Sequence, residues 1–515
     1  MQHFSKLKSQ FEIASGLPQD FSKEVLKEAA KFLKEPFGKG KGREDFRSLH
    51  VLCIDPDGAR DHDDAISIEE TKGGYTLGVH IADLSHFVKP GSMLDKEAKE
   101  RAYTQYMPWG SYPMLPEVLS ANLCSLREDE DRFSFSCIIN LDKKCRMLKY
   151  RFAKGLIRVS HSITYEQAMK FLDKKDKYIC LLARVAAGLK KNREENGLLE
   201  MESTEYQCQF SKNGEPLRVV PRRSEQSNSW IEECMLSANR CCALELQKRK
   251  LMGIYRIHEA PDPKDIAELM QTEPNMFFNS PVDPNNLLKN YKGDNSQDKR
   301  AFGLYSHLVK KARGNHLLTN RILRSMQKAQ YSFEPSGHFA LHWKDYAHFT
   351  SPIRRYADLW CHRELCKTAG ATQHSNSSEL CNHLNEVEIK CQKTERKAMK
   401  VCTSYLLQSQ IGQTFKAEVQ GIEDFGIFIS VSSNTIALAE GLVHLRDIPG
   451  DYYVYNEARG ILVGKRTGKS FKRGDKIVVK LTRVNAVKGE NDFEIMHKGK
   501  EKDRKVREKK RRFGR

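Results

Sequence analysis

Residues 53–68 read Cys-Ile-Asp-Pro-Asp-Gly-Ala-Arg-Asp-His-Asp-Asp-Ala-Ile-Ser-Ile, an apolar run that delivers one acid, turns, and re-enters apolar sequence behind four more. The run Val51–Ile54 predicts a strand ending at Asp55, and Pro56 and Gly58 predict a turn. Asp61, Asp63 and Asp64 follow, so with Asp57 five carboxylates fall within ten residues. At neutral pH these groups repel one another, and a fold keeps such a cluster when a cation neutralises it. Hard divalent ions prefer oxygen ligands, and Mg²⁺ held by carboxylates beside phosphate suits phosphodiester hydrolysis. An exposed acidic turn accounts for the same residues about equally well. A calcium loop does not, because a loop starting at Asp55 needs Gly and Glu where Arg60 and Ile66 stand.

The rest of the chain supplies the setting. Lys and Arg number 86 against 67 Asp and Glu in 515 residues, a net charge of +19. That balance favours a polyanion, either nucleic acid or an acidic membrane surface. No apolar run approaches the roughly 20 residues of a bilayer span, and the first residues lack a secretory signal. The expectation is a cytoplasmic protein with no membrane or secreted partner. The 14 cysteines contain no C-x-x-C pair, so they read as reduced thiols, with adjacent Cys241 and Cys242 suited to helix packing.

The organisation expected is four-part. Residues 1–45 carry one helical pattern, FSKEVLKEAAKFLKE, and a Gly- and Lys-rich joint. Residues 46–405 mix strands such as YTLGVHIADL with helices such as SWIEECMLSANRCCALELQKRK, and residues 375–401 read as polar helix. Short β-rich runs from Ile411 to His497 suggest a small barrel. The basic tail 498–515 is too polar to pack. Within the barrel region Gly464–Ser470, GKRTGKS, has one residue too few between its glycines for a phosphate-binding loop and reads as a basic hairpin.

A second constellation is YAHFTSPIRRYADLWCHREL, residues 346–365. Ser351-Pro352 predicts a turn before a helix, with Arg354 and Arg355 in its first turn, where amides and guanidinium both favour phosphate. A capped helix with surface arginines is as good a reading of that stretch taken alone.

Together the two stretches resemble the ribonuclease II and ribonuclease R family of 3′-to-5′ exoribonucleases. HIADLSHFVKPGSMLDKEA, YPMLPEVLSANLCSL, ITYEQA, IEECMLSAN, YRIHEAPDP and SGHFALHWKDYAHF extend the likeness, in order, over roughly residues 20–500. The resemblance implies an α+β catalytic domain of RNB type followed by a C-terminal OB-fold barrel of the ribosomal S-one type. It implies Asp55, Asp61, Asp63 and Asp64 as ligands of Mg²⁺ (or Mn²⁺), with Asp63, Asp64 and Arg354 carrying the chemistry. Tyr106, Tyr165, Glu232, Arg354 and Phe425 become RNA-binding positions, Tyr165 and Glu232 by the terminal ribose. Phe428, His444 and Arg446 are further candidates on the barrel, Phe428 being equally suited to its core. A second base-clamping aromatic belongs near Tyr206–Phe210, where Cys208 falls. The substrate implied is single-stranded RNA with a free 3′ end, cut processively by a monomer to 5′-mononucleotides. A catalytically silent RNA-binding scaffold is the alternative. Members of the family carry OB-type domains of cold-shock kind before the catalytic unit, and fewer than 50 residues stand there in this sequence.

Overall fold

The computed structural model describes residues 3–18, 20–34, 40, 42–201, 204–222, 224–367 and 377–496. The basic tail at 498–515, and part of the Gly- and Lys-rich joint, lie outside them.

The apolar runs of the first third form one mixed sheet of seven strands. Its order is Glu44–Asp45, Met147–Arg158, Asp131–Asp142, Gly74–Ala82, Asp64–Thr71, Val51–Asp55 and His161–Thr164. The interior pairs are antiparallel, whereas both edge strands run parallel to their neighbours. Val51–Ile54 and almost all of Gly74–Ala82 are buried, so these strands are covered on both faces and read as continuous apolar sequence. The helix Gln226–Lys248 packs on the sheet through Trp230, Cys234, Ala238, Cys241, Cys242 and Leu246. Cys241 and Cys242 are fully buried there, as helix packing required.

Two features depart from expectation. The opening segment holds two helices, Phe4–Ser15 and Lys23–Lys31, where one was expected. The second is capped by Ser22, whose hydroxyl accepts the Val25 N–H. The first has no side-chain cap and a largely polar sequence, so little in it announced a helix. It is held by Phe4, Leu7 and Phe11, which pack on Trp109, Phe210 and Tyr405. The other departure is a helical insertion over 263–324 with its own core of Ile266, Leu269, Leu304, Tyr305, Leu308, Ile322 and Phe339. Asp262, Asp283, Asp298 and Asn315 each cap one of its helices.

The helix Ser377–Leu407 leads into a closed five-stranded barrel, formed in the order Thr414–Glu423, Gly426–Val431, Ala439–His444, Glu490–Ile495 and Lys476–Asn485. A small sheet, Tyr453–Asn456, Ile461–Gly464 and Ser470–Phe471, is inserted in it. GKRTGKS is the hairpin loop between the last two of these strands. Its Arg466 and Thr467 amides and the Thr467 hydroxyl already donate to the Asp451 carboxylate, which these bonds hold far below its ordinary range. The anion cradle is filled from within the chain. Among the described residues no helix is long and apolar enough to cross a membrane.

Candidate active site

The acidic stretch is an arch between adjacent strands. Val51–Asp55 pairs with Asp64–Thr71, and the chain between them turns at Gly58, whose φ of +78° is a conformation that glycine adopts without strain. The far side of the arch is strapped to the end of the YPMLPEVLSANLCSL motif. The Ser125 hydroxyl donates to the Arg60 carbonyl and accepts the His62 N–H, and the Leu126 N–H donates to the His62 carbonyl. The Ala82 N–H donates to the Asp63 carbonyl. Backbone bonds on several sides therefore fix where these acids point.

Asp63 is the buried member, 4% exposed. Its Oδ1 accepts the Ile353 N–H at 2.8 Å, although 290 residues separate the two. Its Oδ2 lies 3.3 Å from Arg354 Nε, an ion pair without hydrogen-bond geometry, and is otherwise buried without a hydrogen-bond partner. Burial pushes the Asp63 carboxyl up to about 7, against the pull of Arg354 and the Ile353 amide. Burial, then Asp55 and Asp63, push Asp64 well above the carboxylate range. Asp61 accepts from the Tyr106 hydroxyl at 3.1 Å, and Asp55 Oδ2 has Cys53 Sγ at 3.1 Å and His62 Nδ1 at 2.5 Å.

The residues fit a hard divalent cation. Four carboxylates share mutual repulsion, one buried oxygen lacks a hydrogen-bond partner, and Arg354 is the nearest cation to it. The four do not converge on a single point. Among the described residues the three-residue group with ligand atoms all within 4.8 Å is Cys53, Asp55 and His62. The aspartates are instead linked as neighbours, Asp55 with Asp64, Asp64 with Asp63 and Asp63 with Asp61.

The second constellation meets the first, with one correction. The helix starts at Tyr356, so Arg354 and Arg355 lie in the turn before it and not in its first turn. The two arginines separate in function there. Arg355 turns inward and forks onto buried Asp358 at 2.8 and 2.7 Å, while Asp358 also accepts the Ser351 N–H. Arg354 stays 42% exposed beside Asp63, with Nη2 donating to Ser351 Oγ at 2.9 Å. Asn239, from the IEECMLSAN helix, accepts the Phe349 N–H and so holds the start of this turn. Asp358 and Asn239 escaped the sequence reading, and only their place inside the two quoted motifs marked them.

The remaining positions divide. Tyr106 sits on the short strand Gln105–Met107, and the preceding chain is laced to the arginine turn by Thr104 N–H to Arg354 O and Tyr356 N–H to Ala102 O. Its ring is 40% exposed at the mouth of the cluster. Tyr165 opens a helix whose capping box is Thr164 and Gln167, and Thr164 pairs with Asp55 across parallel strands. Burial, then Asp55 and Asp64, push its phenol up. Glu232 is exposed on the long helix, 3.9 Å from Arg193, with no described contact to the aspartates. Cys208 packs with Phe210 in the cluster that holds Phe4, and Tyr206 lines a cavity of about 830 Å³ between the helix His316–Arg324 and the barrel. Phe425 and Phe428 meet edge to face at 5.8 Å on the barrel, 50% and 41% exposed, so Phe428 is not core. His444, Arg446 and Tyr452 lie around Phe425.

This architecture matches known proteins. The RNB domain matches residues 43–369 and the S1 RNA binding domain residues 408–495. Ribonuclease R of Thermotoga maritima is 33% identical over 94% of this chain and 69% of that protein. The apo form of Mycoplasma genitalium RNase R superposes with a TM-score of 0.85 at 26% identity, covering 96% of this chain and 78% of that one. That protein has also been solved in complex with ribose methylated single-stranded RNA. Yeast Ssd1, a pseudonuclease, shares the fold with a TM-score of 0.62 at 19% identity, over 82% of this chain and 52% of that one. The chain belongs to the RNB family of ribonucleases, with an OB-fold S1 barrel following its RNB domain. Within that family it is a ribonuclease R-like exoribonuclease, of a class that depends on divalent metal.

The division of labour between the arginines has a measurable consequence. Arg355→Ala leaves buried Asp358 without its counter-ion and should cost about 3 kcal/mol in urea denaturation. Arg354→Ala, at a half-exposed position, should cost well under half as much. Equal losses would show that both arginines are structural.

Proposed function

We propose that the chain degrades single-stranded RNA processively from a free 3′ end, releasing 5′-mononucleotides with Mg²⁺ as the cofactor. The observation that carries this reading is the pairing at Asp63. A buried carboxylate, held by the backbone of the arginine turn, stands beside a half-exposed guanidinium that faces the same space. An anion acceptor and a cation seat thus adjoin, which is what a scissile phosphate needs.

Asp55, Asp61, Asp63 and Asp64 would hold the cation, which when bound neutralises the cluster and polarises the attacked phosphate and the attacking water. Arg354 donates to the phosphate oxygens and is already oriented by Ser351. Tyr106 offers an exposed ring for a base to stack on, with its hydroxyl tied to Asp61. Tyr165, beside Asp55, is the residue we assign to the terminal ribose, where a 2′-hydroxyl distinguishes RNA from DNA. Glu232 shares that assignment by resemblance, at one remove from the acids. Upstream nucleotides lie on the barrel at Phe425 and Phe428, with the basic groups near them taking the backbone. A silent scaffold such as the pseudonuclease fold allows has no need of the whole set Asp55, Asp61, Asp63, Asp64 and Arg354. Their joint presence favours the enzyme.

Asp63→Asn separates catalysis from binding. The variant should retain single-stranded RNA affinity within about threefold while losing nearly all cleavage, since its carboxylate meets the cation and not the bases. Near wild-type cleavage would remove Asp63 from the mechanism.

Acid should weaken cation binding. A carboxyl raised from its ordinary 3.8 to about 7 holds its proton more tightly folded than unfolded. Without a cation, stability therefore falls as pH rises through that window and the loss is complete above it. Saturating Mg²⁺ should then raise Tm more at about pH 8 than at about pH 5, where protons occupy the same oxygens. Equal gains at both values would place the ion elsewhere.

A further inference from the structure

The proposed reaction uses Asp55 as a ligand but makes no use of the two side chains that grip it. Cys53 and Asp55 stand two apart on one strand and so project from the same face. His62 reaches them from the far limb of the arch, fixed there by its backbone bonds to Ser125 and Leu126. Cys53 Sγ, Asp55 Oδ2 and His62 Nδ1 gather with Sγ at 3.1 Å and Nδ1 at 2.5 Å from the one carboxylate oxygen. All three ligand atoms lie within 4.8 Å of one another.

This donor set differs in kind from the aspartates around it. Oxygen ligands alone suit Mg²⁺, whereas a thiolate, an imidazole and a carboxylate together suit a borderline ion, Zn²⁺ above the other common divalent metals. Zinc–ligand lengths imply tetrahedral edges of about 3.3–3.5 Å, so the 3.1 Å sulfur–oxygen spacing nearly fits. The His62 imidazole, now hydrogen-bonded to Asp55 at 2.5 Å, would move outward by under about 1 Å to admit the ion. The thiol is fully buried and the other two side chains are 15% and 23% exposed, so three ligands come from the chain and a fourth position opens to water. That is the arrangement of an open zinc site and not of a closed structural one.

We propose that Cys53, Asp55 and His62 form a binding site for Zn²⁺, and that an ion held there takes Asp55 from the magnesium centre and arrests the nuclease. On binding, the Cys53 thiol releases its proton to water as the zinc–sulfur bond forms, and the proton His62 Nδ1 shares with Asp55 passes through water to Nε2, freeing the Nδ1 lone pair for the ion. Only one ligand is shared between the two centres, so zinc competes by occupying Asp55 while Asp61 and Asp63 stay in place. The arrest rests on the function proposed above; the binding does not.

Two readouts on the full chain test it. Co²⁺ added to chelator-treated protein in excess Mg²⁺ should give a near-ultraviolet sulfur-to-cobalt charge-transfer band in wild type, displaced by Zn²⁺. The band should be absent in Cys53→Ser and weakened or lost in His62→Phe. Zn²⁺ should inhibit RNA cleavage in Mg²⁺ reversibly, with chelator restoring it. Relative to each variant's own uninhibited rate, half-inhibition should shift upward by at least about tenfold in both variants. A cobalt band unchanged in Cys53→Ser overturns the site, whatever the activity does. Unshifted zinc sensitivity in both variants overturns the arrest, showing that the ion acts through the aspartates alone with Cys53 and His62 merely orienting Asp55. If cleavage is absent altogether, the function proposed above fails while the cobalt spectrum still decides the binding.

Discussion

The hydrogen bond from the Ile353 amide to Asp63 Oδ1 joins the two halves of the site. Everything near it follows from the need to hold a carboxylate inside the protein at that point. The acidic arch is fixed by sheet pairing on one side and by Ser125 on the other. The arginine turn is fixed by Asp358, Asn239 and the ladder to residues 102–104. Neither segment has a reason to be where it is without the other. Burying a charged group costs several kcal/mol unless it is paired, so an arrangement that leaves one oxygen of Asp63 unbonded is costly in the absence of a ligand. The cost is consistent with a site organised around a cation.

The same constraint separates neighbouring residues of one type. Arg354 and Arg355 are adjacent in sequence, yet one is spent on a buried structural pair and the other is left facing the acids. Glu232 and Glu233 divide in the same manner, with Glu233 buried against Arg193 and Glu232 exposed. The barrel shows a contrast of another kind. Asp451 satisfies a loop that a sequence pattern brings close to phosphate binding, while the aromatic pair Phe425 and Phe428 remains unsatisfied at the surface.

How much was legible in the sequence depends on whether the cause was local. The strand Val51–Asp55, the turn at Gly58 and the barrel strands rest on apolar runs and turn residues, and they stand where those signals put them. The helix Phe4–Ser15 was not legible, because three apolar contacts with distant aromatics hold it and no cap announces it. The arginine helix starts at Tyr356, a few residues later than Ser351-Pro352 signals. Backbone pairing of Arg354 and Tyr356 with residues 102–104 keeps the turn extended, and no local signal encodes that. Within the site, carboxylate density marked the aspartates, whereas Asp358 and Asn239 act through long-range bonds to backbone. His62 and Cys53 were part of the quoted stretch, but their convergence on Asp55 appears only once the arch closes.

The RNB domain and the S1 barrel together set an acidic centre within a basic chain, a balance that favours a polyanionic partner. On the proposed function, this centre cuts only from a free 3′ end and only with a divalent ion. The direct measurement follows a uniformly labelled single-stranded RNA, with its 3′ end free or chemically blocked, in Mg²⁺ or in EDTA. The expected result is 5′-mononucleotides from the free-ended RNA in Mg²⁺ alone, and an intact strand in the other three mixtures. Internal cuts in the blocked RNA, or equal degradation in EDTA, would contradict it.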